Sequence, residues 1–214
     1  MILKNNYVDI ESDEVTFTKA EISPYITQAS NPKFLGIMPL TWVYYKTENK
    51  PNKKIINWIN ETVGKKPVYY NKEQKDNSII QIEKYLNDIG YFNSGVTTEV
   101  YDNKGIGHVT YIIKPSNPYI VDEISYSISD TVLMRYIKDV ESELPVQKGN
   151  IYNAFDLDEE REMITEYLKN NGYYFFTKDY IFMEIDTNFS GQLWQSFVFQ
   201  QIAAECKFRT TVLH

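Results

Sequence analysis

YLNDIGYF at residues 85–92 returns as YLKNNGYY at residues 167–174. With the chain slid along itself by 82 positions, residues 66–92 align without a gap on 148–174. Lys66, Tyr70, Asn71, Asp76, Ile82, Tyr85, Leu86, Gly90 and Tyr91 meet identical residues, 9 of 27 positions. Composition alone would give roughly two. A repeat of this kind limits the fold to one that accommodates the same unit twice, so a duplicated module is expected.

The repeated stretch reads as helix, stop, strand. Asn71 can cap a helix, with Gln74 three residues on completing a capping box. Ile79, Ile82, Leu86 and Ile89 then form one apolar stripe. Gly90 ends it, since glycine adopts the positive-φ conformation of a helix C-terminus at little cost. In the second copy Asp156 and Glu159 form the expected capping pair. Leu157, Ile164 and Leu168 share a face flanked by Met163 and Tyr167, and Gly172 is the stop. A shorter helix precedes each long one. The first, 52–64, carries Ile55, Ile56, Ile59 and Val63 and stops at Gly64. The second, 131–144, carries Leu133, Ile137, Val140 and Leu144.

Strands bracket these helices. VTTEVYD (96–102) and HVTYIIK (108–114) predict a hairpin around the turn NKGIG. YIVDEISYSIS (119–129) alternates, with Ile120, Ile124, Tyr126 and Ile128 as its apolar positions. DYIFMEID (179–186) predicts a strand, and LWQSFVFQ (193–200) reads as its closing partner, with a short amphipathic helix over 193–206 as the alternative. NYVDIES (6–12) opens the first half, followed by an extra helix over 18–28 and a proline-rich passage to about Tyr45. Pro115–Pro118 marks the boundary between expected domains 1–117 and 118–214. The fold class is α+β, with tandem β-α-α-β-β units, each a three-stranded mixed sheet covered by two helices.

Composition excludes several functions. The chain has 214 residues, a net charge of −7 and a pI near 5.0, which disfavours nucleic acid and polybasic membrane contacts. Cys206 is the only cysteine, so an internal disulfide and a thiolate zinc cluster are excluded. No run of 18 apolar residues is present. Met1-Ile2-Leu3 leads straight into Lys4-Asn5-Asn6 without the apolar core of a signal peptide. The chain is therefore expected to be cytoplasmic or cut from a longer precursor.

These residues also carry a family likeness. A unit of about 80 residues closed by "yLxxxGYf" resembles the POTRA (polypeptide-transport-associated) domains of the outer-membrane assembly-factor superfamily, BamA/TamA-like. "KGNIYNAFDLDEEREMITEYLKNNGYYFFTKDYIFMEID" and "YNKEQKDNSIIQIEKYLNDIGYFNSGVTTEV" both resemble it. The opening "LKNNYVDIE…ISPYITQASNPKFLG…LTWVYY" resembles the N-terminal part of Bacteroidetes TamL-type lipoproteins. The likeness covers roughly residues 2–187. It implies a periplasmic module associated with the outer membrane, whose parent carries a C-terminal barrel. Its partners would be unfolded outer-membrane protein precursors or assembly-machine subunits. The alternatives are a docking scaffold for a folded partner and the POTRA pair of a secretion-type transporter.

No catalytic constellation emerges, and no enzyme activity, cofactor or metal is expected. Asp156, Asp158, Glu159, Glu160 and Glu162 read as carboxylates complementing a helix N-terminal dipole. His108 and His214 lack neighbouring nucleophile patterns. Gly105-Ile106-Gly107 reads as a hairpin turn, without the third glycine and helix of a phosphate loop. The aromatic group Tyr173–Phe176, Tyr180 and Phe182 reads mainly as core, with a recognition surface as the alternative. The expected binding mode is strand addition at open sheet edges. The family analogy places those edges at Val96, Thr98 and Val100 in the first unit, and at Tyr180, Phe182 and Glu184 in the second.

Overall fold

A computed structural model describes residues 1–31, 33–34, 38–39, 68–187 and 192–199. The expected helix over 52–64 with its Gly64 stop, Cys206 and His214 lie outside the described residues. The chain divides into two compact units, Met1–Asn87 with Asn93–Ser116, and Asp88–Phe92 with Asn117–His214.

In the first unit, β1 (Ile2–Ile10) is followed by a short helix α1 (Lys19–Ile22) and a 3-10 turn, Ser23–Tyr25. The expected helix over 18–28 is thus cut short. Pro24 has no N–H to donate to Ala20 O, so the α-helical ladder stops there although Ser23 itself keeps helical angles, and a 3-10 turn with proline near its start follows. A small ladder pairs β2 (Lys33–Phe34) with β3 (Met38–Pro39). The unit's other described elements are the long helix α2 (Lys72–Asp88) and the hairpin β4 (Gly95–Asn103) and β5 (Ile106–Lys114). The sheet order is β1-β5-β4, with β1 parallel and β4 antiparallel to the central β5.

The second unit contains β6 (Ile120–Ser127), α3 (Thr131–Val140), α4 (Ala154–Asn170), β7 (Ile181–Thr187) and β8 (Gln192–Phe199). Its sheet order is β6-β8-β7, with β6 parallel and β7 antiparallel to β8. Residues 193–199 are thus the closing strand, not a helix. Each unit therefore holds a three-stranded mixed sheet of the same order and polarity, as the α+β reading expects.

The helices form for legible reasons. α2 and α4 are each 17 residues long and begin 82 positions apart, at Lys72 and Ala154. Asn71 Oδ1 accepts the N–H groups of Glu73 (2.8 Å) and Gln74 (3.3 Å). The reciprocal bond expected from Gln74 is replaced, since the Asn71 N–H goes to Gln28 Oε1 at 3.2 Å. The α4 cap is Asn153, whose side chain accepts from Phe155 N, and not Asp156. Asp156 instead sits in the first turn and accepts from Asn153 Nδ2 at 3.0 Å. Gly90 and Gly172 end the helices with φ of +89° and +101°. A Cβ at Gly90 would lie 2.5 Å from the Tyr152 carbonyl oxygen.

Two strand readings change. β1 starts at Ile2 because Ile2 and Leu3 are buried and Ile2 pairs with Ile106. In β6 a bulge between Val121 and Glu123 shifts the alternation. Val121 is buried where the sequence pattern put Ile120 inward. The second core joins Val121, Leu133, Ile137, Leu157, Ile164, Leu168 and Ile181. Each such aliphatic side chain contributes about 1.5–3 kcal/mol on burial.

Candidate binding edges

Each sheet has two edges, and they differ. In the first unit the N-terminal half of β1 is covered by the segment leading into α2. Leu3 N donates to Val68 O (3.0 Å), Tyr70 N donates to Met1 O (3.0 Å), and Ile2 bridges Tyr69. Two buried amide side chains lock this segment in place. Asn31 Nδ2 donates to Leu3 O (2.6 Å) and Val68 O (2.9 Å), while its Oδ1 accepts from Val68 N (2.7 Å). Gln28 Nε2 donates to Tyr69 O at 2.6 Å. Both amides are nearly inaccessible, which is tolerable because their polar atoms are paired.

The second unit closes the corresponding edge by the same means. Val121 N donates to Asn150 O (2.9 Å), Gly149 N to Val121 O (2.7 Å) and Tyr152 N to Tyr119 O (2.9 Å), and Ile120 bridges Ile151. Tyr69 and Ile151 are again 82 positions apart. The lead-in to each long helix thus blocks the entry of its first strand.

The other edges are β4 and β7. Among the described residues no strand pairs with the outer side of either. β4 holds nine residues and β7 seven. Neither contains proline or lysine, the usual edge-blunting residues; both carry acids, Glu99 and Asp102 in one, Glu184 and Asp186 in the other.

The structure distributes the expected site residues unevenly. Val96 is buried, Thr98 half-buried and Val100 44% exposed, so the helix-facing side of β4 opens toward its far end. Phe182, on β7, is 48% exposed, and Glu184 pairs in register with Ser196. Tyr180 is not on the strand. It closes the 3-10 turn Lys178–Tyr180, where its N–H bonds Thr177 O at 3.1 Å, and β7 begins at Ile181. The aromatic group splits as well, with Phe176 buried while Tyr174 and Phe175 are largely exposed.

Two features escape the sequence reading. The first is an aromatic row across the first sheet. Tyr101 stacks on His108 (5.0 Å between centroids), and Tyr7 meets His108 edge-on at 5.1 Å. The expected five-residue turn would pair Asp102 with His108. The actual turn is two residues, Lys104 and Gly105, both at positive φ (53° and 83°), and the register pairs Tyr101 with His108. A two-residue turn of this type matches the strand twist, and a one-residue slip exchanges the faces.

The second is Glu160. It is fully buried, accepts from Val146 N at 3.2 Å and lies 3.4 Å from the Tyr126 hydroxyl. Burial pushes its carboxyl up to about 7, against the pull of those two hydrogen bonds. Of the rest of the acidic cluster, Asp156 is half-buried while Asp158, Glu159 and Glu162 stay outside. Asp158 pairs with Arg161 (3.3 Å) and Lys178 (3.4 Å), and Glu162 pairs with Lys178 (3.1 Å). The apolar spacing carried a signal for Glu160, which lies three residues after Leu157 and four before Ile164 on the same stripe. Among the described residues no His/Cys/Asp/Glu group could hold a metal ion, and no helix is long and apolar enough to cross a membrane.

Residues 128–188 match the family model POTRA, described as surface antigen variable number repeat. No curated protein matches the chain. Among solved structures, the chain is similar to POTRA3-5 of BamA from Haemophilus influenzae at 11% identity and a TM-score of 0.42, over 94% of this chain and 61% of that one. It is similar to POTRA1-3 of the periplasmic domain of Omp85 from Anabaena at 13% identity and a TM-score of 0.42, over 92% and 60%. For POTRA1-2 of the same Omp85 the values are 14% and 0.39, over 94% and 96%. The chain thus spans less than two thirds of the Haemophilus influenzae fragment.

Proposed function

We propose that this chain, whose residues 128–188 match the POTRA family model, is a periplasmic module of an outer-membrane protein assembly or translocation factor. It binds extended clients by strand addition at the outer edges of β4 and β7. Residues 1–117 and 118–214 form its two POTRA-like domains, and the likeness of the opening segment to the Bacteroidetes TamL-type proteins supports a parent of that type. Its partners are unfolded outer-membrane protein precursors or subunits of the assembly machine.

One observation carries the binding mode. In both sheets the first-strand edge is covered at its entry by the segment before the long helix, while the second-strand edge has no partner among the described residues. An extended chain can pair with such an edge largely regardless of its sequence, because backbone groups supply the bonds. Side chains beside the edge, such as Val100 and Phe182, tune the choice.

Proline scanning over residues 96–100 and 181–185 tests this. In an antiparallel ladder alternate residues point their N–H groups outward, so every second proline leaves the β4–β5 or β7–β8 pairing intact. Each backbone bond is worth about 1 kcal/mol net. Folded variants with an outward proline should therefore lose about fivefold or more in affinity for fluorescently labelled extended peptides. Undiminished binding by every folded variant of both edges would overturn the proposal.

A further inference from the structure

We propose a second docking site, separate from the edges, in the groove between α4 and the end of α3 with the 3-10 turn that follows it, Glu141–Glu143, for a partner segment that carries an apolar anchor flanked by lysine or arginine. The groove encloses about 220 Å³. Val140 and Leu144 form one wall, and Met163 and Tyr167 the other. Glu143 and Glu166 line it too, both exposed. Among the described residues neither carboxylate has an ion-pair partner, whereas Asp158 and Glu162 on the same helix are paired with Lys178. Lys138 and Lys169, on the same two helices, do not line the groove.

Size and charge together select the occupant. Small-molecule clefts run to about 300–1,000 Å³, so this volume suits one or two anchoring side chains instead. Met163 is 37% exposed, and methionine adapts its shape to different anchors. Two unpaired carboxylates beside an apolar floor favour cationic flanks and repel acidic ones. An amphipathic helix with an apolar face and basic borders meets these conditions, as in helix-in-groove recognition. The same carboxylates disfavour an anionic lipid surface.

The test is fluorescence anisotropy with the full chain and two labelled amphipathic peptides. Both carry Leu and Phe on one face; one has lysine flanks and the other glutamate flanks. The lysine peptide should bind, and the glutamate peptide should bind at least about tenfold more weakly at low salt. The E143Q/E166Q double variant, whose changes are both on the surface, should lose most of that discrimination. M163K should reduce lysine-peptide binding, while outward prolines in β4 and β7 should leave it unchanged. Equal binding of the two peptides, or full discrimination retained in E143Q/E166Q, would overturn the assignment. Loss of binding through edge prolines alone would place this peptide on the edges and also overturn it.

Discussion

Single residues decide more here than their exposure suggests. Glu160 lies on the apolar stripe of α4, fully buried, with its carboxyl raised from an ordinary 4.5 to about 7. Desolvation is the main cause, and repulsion from Glu141 adds to it. The folded chain therefore holds this proton more tightly than the unfolded chain does. Stability from Glu160 is fully present below about pH 4.5 and declines as the pH rises through 7, an effect of about 3 kcal/mol. E160Q should flatten this slope, with a urea midpoint that changes less between pH 5 and pH 8 than that of the wild type. Identical pH dependence in the two proteins would show that the carboxyl titrates normally. The residue type announced none of this. Five acids between positions 156 and 162 look alike by type, and only its place on the apolar stripe marks Glu160 as the one that packing buries fully.

At the scale of elements, the long helices were the most legible feature. Their apolar spacing, glycine stops and 82-residue offset all appear in the sequence, and α2 and α4 follow them. Residue type alone left the second cap open, because Asn153, Asp156 and Asp158 are all competent caps. The offset itself pointed to Asn153, the partner of Asn71. N71A and N153A should each cost about 1 kcal/mol in urea denaturation. D156N should cost clearly less, since Asn153 and not Asp156 accepts the Phe155 N–H. The strands were harder. Bulges in β1 and β6 and a two-residue turn in the hairpin each displace a register by a single position. Alternation counted through such a point assigns the wrong face. That is why the Tyr7–His108–Tyr101 row and the buried Val121 came only with the fold.

The whole molecule adds long-range charge and the choice of edge. If the open strands bind extended chains as proposed, a net charge of −7 and the acids on both strands favour partners with lysine or arginine over acidic ones. Affinity for a lysine-bearing extended peptide should fall several-fold between about 0.05 M and 0.5 M salt, while that for a neutral peptide should change little. Equal salt dependence for the two would remove charge from the recognition. By itself the sequence determined the two long helices with their glycine stops, the α+β class and the charge, because these rest on local spacing and composition. Only the tertiary structure decided which strand edges are covered. Gln28 and Asn31 are unremarkable polar residues until folding carries them to the backbone of residues 68–71, some 40 positions away. Covering an edge needs partners distant in the chain, and no periodicity in the sequence records which distant groups will meet.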